Sequence, residues 1–237
     1  MNEQQRKIIR TLKGLRANDL PTGFATEIPV INDQNVKLGL LTPINRHLAN
    51  DEAIVNSLAD WRRRFKRFFF TQFEVTSERT KNWLNEVVVK DDTRILFLIK
   101  DASDKLTGHV GAANISGESA ELDNFIRGER GGDPKLMLLS GLSLIGWLYG
   151  ALNIEKIYAR VIANNFRTLS VYEAAGCFER SELPEFAKGI DADESAGDPA
   201  AVQEQSRPEG EKFIKMTLDM EKYLSTYPWM VVSDEQR

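Results

Sequence analysis

The feature that most narrows the fold is the stretch from Leu136 to Ile154, nineteen residues without a charged side chain in a chain of 237. That length is close to the roughly 20 apolar residues that cross a bilayer. The stretch nevertheless contains Gly141, Gly146, Gly150, Ser140, Ser143 and Asn153, and it runs into a strand-like segment with no basic flank on that side. It reads as a buried core helix, and no membrane partner is expected. The N-terminus, Met1 to Arg10, is positively charged but lacks a continuous apolar run, so it does not read as a secretory signal and a cytoplasmic protein is expected. One cysteine, Cys177, excludes an intramolecular disulfide and a cysteine-rich metal site. Two histidines, His47 and His109, argue against a histidine zinc site, so no metal is expected.

Around that helix the periodicity predicts a mixed α/β chain. Ile8, Ile9, Leu12 and Leu15 stand at helical spacing ahead of the breaker Pro21, and predict an N-terminal helix. Residues 36–44 read as a strand, Asn50 and Asp51 as the cap of a helix running toward Phe69, and Thr76 as the cap of another through Val88. Residues 94–99, 106–115 and 120–126 follow at hairpin-like spacing, as an antiparallel meander. A glycine-rich turn leads into the apolar helix, then come a strand at 154–162, a helix at 166–175 stopped by Gly176, and strands at 177–183 and 212–218. The predicted organisation is one domain at 35–237, with residues 1–34 as a helical extension packed on it. Residues 189–211, rich in Gly, Pro, Asp and Glu, form an acidic surface loop.

The turn Arg127-Gly128-Glu129-Arg130-Gly131-Gly132-Asp133-Pro134 can point successive N–H groups outward, because its glycines relieve the Cβ clash of a curved backbone. The following helix adds its unpaired donors and the positive end of its dipole, which makes a cradle for a pyrophosphate. Arg127, Arg130 and Lys135 can add charge-assisted contacts. By itself the turn is equally compatible with an ordinary connection whose arginines face water.

Downstream, Asn165-Phe166-Arg167-Thr168-Leu169-Ser170-Val171-Tyr172-Glu173-Ala174-Ala175-Gly176-Cys177-Phe178 resembles the second signature of the GNAT superfamily, the acyl-CoA-dependent N-acyltransferases. Asn165, Thr168, Tyr172 and Gly176 stand at that spacing, with Cys177 inserted before Phe178. The resemblance spans about 36–218 and implies a mostly antiparallel sheet splayed between strands 120–126 and 154–162, with acetyl-CoA or another short acyl-CoA in the wedge. It implies that the turn holds pyrophosphate and that Asn165, with Arg167 beside it, contacts pantetheine or positions the helix. It also implies that Tyr172 protonates the departing thiolate. The turn departs from the family pattern of Gln or Arg-x-x-Gly-x-Gly or Ala, since a start at Arg130 puts Asp133 and Lys135 at the small positions. Asp123 to Glu129, followed by Leu136-Met137, resembles a subgroup that acylates nucleotide-linked amino sugars for surface polysaccharides.

Acyl transfer to an amine needs an oxyanion donor and a route for the amine proton. Backbone N–H groups near Phe125 and Ile126 can serve the first need. For the second, Glu121 and Asp123 lie two residues apart on one strand face and are base candidates or ammonium contacts, with His109 a third choice and Asn124 beside them as an acceptor contact. In Trp61 to Phe70, five cations and four phenylalanines suit a nucleoside diphosphate. Helical periodicity puts Trp61, Phe65, Phe68 and Phe69 mostly in the core, with one or two of Arg62, Arg63 and Arg64 facing ligand.

The function expected is therefore N-acylation of a nucleotide-linked amino sugar from a short acyl-CoA. The alternatives are N-acetylation of a protein N-terminus or a small amine, and a non-catalytic acyl-CoA-binding module; a homodimer is compatible with either. The net charge of −4 does not oppose anionic ligands, because residues 189–211 alone carry −6 and leave +2 on the rest. Nucleic acid is disfavoured, because no reader motif accompanies the basic helix.

Overall fold

The computed structural model describes residues 2–17, 27–70, 73–183 and 212–231, so the acidic loop expected at 189–211 lies outside the described residues. Among them, eight strands form one sheet in the order β1-β2-β3-β4-β5-β6-β8-β7. The strands are β1 Ile28–Ile31, β2 Lys37–Pro43, β3 Ile95–Asp101, β4 Leu106–Ser116, β5 Ser119–Arg127, β6 Lys156–Ile162, β7 Phe178–Leu183 and β8 Phe213–Leu218. Every neighbouring pair is antiparallel except β5 and β6. This is the mixed α/β architecture expected, with the meander at β3 to β5.

Strand β3 shows why the sheet is covered on both sides. Its side chains alternate, so Ile95, Phe97 and Ile99 join one core and Leu96 and Leu98 the other. The first core receives α1 Glu3–Ala17 through Ile8, Leu12 and Leu15, together with α4 Leu136–Leu152 and α5 Phe166–Ala175. The second receives α2 Glu52–Phe65 and α3 Ser77–Trp83, whose last turn continues as a π-helical stretch over Leu84–Val88. The expected caps form: Asp51 accepts from the Ile54 N–H at 3.1 Å and Thr76 from the Arg79 N–H at 3.1 Å.

Helix α4 is apolar all round because it contacts the sheet, α1, α5 and the C-terminal segment together. Gly146 lets that segment approach, since a Cβ there would lie 2.2 Å from the Met230 carbonyl oxygen. The segment starts as α6, Met220–Thr226, capped by Asp219 and locked by a Tyr223 hydroxyl that donates to the Leu142 carbonyl at 2.9 Å. Among the described residues no helix is long and apolar enough to cross a membrane.

Two elements differ from expectation. Strand β1 falls in the stretch assigned to the helical extension, yet it pairs with β2 from Ile28↔Leu41 to Ile31↔Lys37. Four residues with Pro29 among them carry almost no strand signal, and an edge position is where a sheet tolerates that proline. Helix α6 was not expected at all; its seven residues are too few for periodicity to declare itself.

Candidate active site

Strands β5 and β6 pair only at Ser119↔Lys156, Ala120↔Ile157 and Glu121↔Tyr158. Beyond Glu121 they diverge, and the gap is a cleft of about 890 Å³, a size suited to a small-molecule site. Its walls are the outer half of β5 with the turn after it, the start of α4, residues 160–162 of β6, and α5. Arg64 and Phe65 at the end of α2, with Phe68, Phe69 and Phe70 after it, complete the lining.

The β5 wall carries a bulge. Ile126 faces His109 and Asp123 faces Gly111, so Asn124 and Phe125 stand opposite Val110 alone. Asn124 sits at φ 49°, in the left-handed region. Its N–H donates to Asp123 Oδ1 at 2.6 Å and its Nδ2 to Asp123 Oδ2 at 2.7 Å. Its carbonyl lies 2.6 Å from His109 Nδ1. Arg94 Nη1 reaches Asp123 Oδ2 at 2.6 Å. Of the two residues expected to offer oxyanion donors, the bulge leaves Phe125 out of the ladder, whereas Ile126 is paired with His109 and its N–H turns toward β4.

Both candidate base carboxylates line the cleft, each bonded to an arginine. Glu121, buried, takes Arg160 Nε on Oε1 at 2.6 Å and Arg160 Nη2 on Oε2 at 2.9 Å, with Asn114 Nδ2 on Oε2 at 3.0 Å. Asp123 is bound by Arg94 and Asn124 as above. The side-by-side pair expected from sequence is thus two separate ion pairs. Arg160 and Arg94 were not singled out from sequence. The only signal was a lone cation inside the apolar strand of residues 157–162, and another opening the apolar run 94–99.

Tyr172 is buried on α5, its ring 4.8 Å from that of Phe178 and 6.3 Å from that of Phe125, at the cleft wall. Burial, with Asp123 and Glu121 nearby, pushes its phenol well above its ordinary value, so it is a proton donor throughout the neutral range. Asn165 lines the cleft and caps α5, its Oδ1 accepting the Thr168 N–H at 3.3 Å; Arg167 lines the cleft beside it.

The turn after β5 is organised differently from the expected cradle. The N–H groups of Gly128 and Glu129 both donate to the Thr107 carbonyl, at 2.8 and 2.9 Å. Gly128 is required by Trp61, because a Cβ would lie 1.9 Å from Trp61 Cε2. Arg127 folds back onto the Gly131 carbonyl at 2.8 Å. Gly131 and Gly132, at φ 110° and 68°, turn the chain and do not line the cleft. Arg130 and Lys135 do line it. Asp133 occupies the Lys135 and Leu136 N–H groups, which leaves those of Met137 and Leu138, both cleft residues, without an acceptor among the described residues. The unpaired backbone donors facing the cleft are therefore those of the first turn of α4 rather than those of the glycines.

The basic segment is also rearranged. Arg62 is buried over the rings of Phe69 at 4.0 Å and Phe73 at 4.8 Å, and Arg63 pairs with Asp60 at 3.5 Å; neither lines the cleft. Arg64 lines it while donating to the Gly128 carbonyl at 2.8 Å and Glu129 Oε1 at 3.1 Å. Glu129 also accepts from Trp61 Nε1 at 2.8 Å, and this bond, with Arg64, holds its carboxyl below the ordinary value. Trp61 lies in the second core and Phe65 and Phe69 pack partly against it, as expected, while Phe65, Phe68, Phe69 and Phe70 also line the cleft, where a 3-10 turn at Lys66–Phe68 breaks the α-helical phase. His109 is buried outside the lining, its pKa pushed down to about 4 mainly by burial; it is neutral and cannot meet substrate. Among the described residues no cluster of three or more His, Cys, Asp or Glu side chains gathers to hold a metal.

Comparison with known proteins bears on this architecture. No curated protein sequence matches the chain. A probable GNAT-family acetyltransferase from Chromobacterium violaceum superposes with a TM-score of 0.60 at 12% identity, covering 87% of this chain and 95% of that one. Spermidine N-acetyltransferase from Vibrio cholerae, solved with CoA and spermine, superposes with a TM-score of 0.53 at 20% identity, over 78% of this chain and 96% of that one. A domain from Methanocaldococcus jannaschii gives 0.51 at 19% identity, over 75% and 97%. At such identities the likeness is one of fold. The family model described as "Acetyltransferase (GNAT) domain" matches residues 50–181, more than half of the sequence. The chain belongs to the GNAT acetyltransferases, acyl-CoA-dependent N-acyltransferases built on this splayed sheet.

Proposed function

We propose that this acetyltransferase moves an acetyl or other short acyl group from acyl-CoA to the primary amine of a nucleotide-linked amino sugar, in the cytoplasm. The observation that carries the reading is the cleft lining. Besides Arg130 and Lys135, which this reading gives to CoA, four cationic side chains, Arg64, Arg127, Arg160 and Arg167, stand against three acidic ones, Glu121, Asp123 and Glu129. All three acids are already bonded to arginines, and four phenylalanines supply a flat stacking wall. Such a lining favours an anionic, ring-bearing acceptor and disfavours a polycation such as the spermidine named for the Vibrio relative.

In this reading the CoA pyrophosphate lies on the Met137 and Leu138 N–H groups, with Arg130 and Lys135 adding charge. The thioester carbonyl faces the β5 bulge. The neutral amine attacks that carbonyl, its nitrogen forming the new bond to carbon while the carbonyl electrons move to oxygen, stabilised by the Phe125 N–H. Collapse of the adduct breaks the C–S bond, and Tyr172 gives its proton to the leaving thiolate. The ammonium proton of the acceptor leaves to water at the open side of the cleft, since Glu121 and Asp123 are engaged by guanidinium groups.

The test is CoA release, followed by a thiol reagent, with acetyl-CoA and a panel of nucleotide-linked amino sugars, spermidine and a short peptide with a free N-terminus. Turnover confined to the sugars, with product heavier by one acetyl group, is the expected result. Turnover of spermidine or the peptide in preference to every sugar would overturn the acceptor assignment. Tight CoA binding with no release to any amine would favour a sensing module.

A further inference from the structure

We propose that His109 and Arg94 are positioning residues for acyl transfer: acting through Asn124 and Asp123, they hold the β5 bulge that aims the Phe125 N–H at the thioester carbonyl. The inference rests on the acyl-transfer reading above and assigns the work of keeping its oxyanion donor in place. Asn124 adopts the left-handed conformation, which asparagine tolerates better than most L residues, so the direction of the bulge is set by the contacts made around it. Here the surroundings are specific. A carbonyl oxygen can only accept, so at 2.6 Å from the Asn124 carbonyl, His109 Nδ1 must carry the proton. The imidazole is buried and neutral, a fixed donor.

On the other side, Asp123 Oδ1 takes the Asn124 N–H, while Oδ2 takes both the Asn124 side-chain amide and Arg94. Arg94 is itself anchored: it is buried, and its carbonyl accepts from Arg16 of α1. The carbonyl of the bulge residue is therefore held from the next strand by His109, and its N–H and side-chain amide by Asp123, which Arg94, just ahead of β3, fixes in turn. Asp123 is thereby a structural acceptor, and its role as proton acceptor, one of the two expected from sequence, gives way to this one.

Displacing reacting groups by about 1 Å can cost on the order of 100-fold in rate, and loss of one oxyanion donor about 100- to 1,000-fold. His109→Leu and Arg94→Met should therefore lower kcat at least about tenfold, with the Kd for CoA and the KM for the amine little changed. His109→Asn, whose Nδ2 can take the place of imidazole Nδ1, should recover most of the loss, whereas His109→Gln, with its donor one bond further out, should not. A readout that needs no acceptor is the 13C resonance of [1-13C]acetyl-CoA bound to the full chain. Polarisation by the aimed N–H moves the carbonyl downfield in the wild type, and the shift should vanish in His109→Leu and return in His109→Asn. A wild-type shift with no amine turned over would sink the acceptor proposal and leave this one standing. The inference is overturned by a wild-type carbonyl without a shift, or by His109→Leu retaining shift and kcat. Should His109→Leu not fold, equal loss in His109→Asn and His109→Gln would overturn it just as well.

Discussion

Replacing Arg160 with methionine should destabilise the fold by about 3–5 kcal/mol, the cost of removing one partner from a buried ion pair. The structure sets that magnitude. The Glu121 side chain is 6% exposed and that of Arg160 16%, so only the cleft side of the carboxylate left behind meets water. Of its three described hydrogen bonds, the one from Asn114 would remain, at 3.0 Å. A further few tenths to 1 kcal/mol belongs to the Arg160 guanidinium over the Phe70 ring at 5.4 Å. For a domain of this size the loss corresponds to a fall in Tm of roughly 6–20 °C. Glu121→Leu alone should cost less, because Arg160 is long enough to reach toward solvent. The double variant, with two apolar residues packed in place of the pair, should lie well above the sum of the single losses. Urea denaturation followed by circular dichroism measures all three. Additive single effects, or an Arg160→Met loss below about 1 kcal/mol, would refute the account of a neutralised buried carboxylate. With Glu121 unpaired, the variant should also turn over spermidine better relative to the nucleotide-linked amino sugar.

Tyr172→Phe keeps the ring between Phe125 and Phe178 and removes only the proton donor, so kcat should fall tenfold or more while CoA affinity and Tm hold; stopped assays with calorimetry check both. Because burial raises the phenol well above its ordinary value, the rate should rise with pH until the acceptor amine is deprotonated, with no fall from Tyr172 ionising below about pH 10. His109 has a folded pKa of about 4 against an ordinary 6.5, so the unfolded chain binds more protons between those values. Stability is full above pH 6.5 and falls by on the order of 3 kcal/mol as pH drops toward 4, a loss that acid melts of His109→Asn should lack. Gly128→Ala forces a methyl into the Trp61 ring, so Tm should fall by several degrees and CoA affinity with it as the turn shifts; an unchanged titration would count against the close packing.

Much of the candidate site was legible in the chain, and the misses have a common cause. Tyr172, Asn165 and the splay itself follow from a local signature whose residues share one strand, one cap and one helix. Gly128 was noticed as one of the glycines that let the turn curve, whereas the structure requires it for close approach to the Trp61 indole. The arginines at 62–64 were read by type, while their direction depended on where α2 stops and its 3-10 turn begins, a boundary that periodicity resolves poorly. His109 was weighed as a base because an isolated histidine carries no sign of what it faces.

Periodicity and caps are interactions within a few residues of one another, so the amino-acid sequence alone determined the meander, the buried α4, the cap residues Asp51, Thr76 and Asn165, and the place of the cleft. Which charge meets which is settled across separations of 29 residues for Arg94 and Asp123 and 39 for Arg160 and Glu121. No local pattern encodes those distances; the register between strands does. A single extra residue at Asn124 changes that register and breaks the ladder at Phe125, and it is visible only once β4 and β5 are laid side by side. The tertiary structure therefore decided the charge pairing along the cleft and the break in the β4–β5 ladder, the two properties on which the proposed chemistry depends.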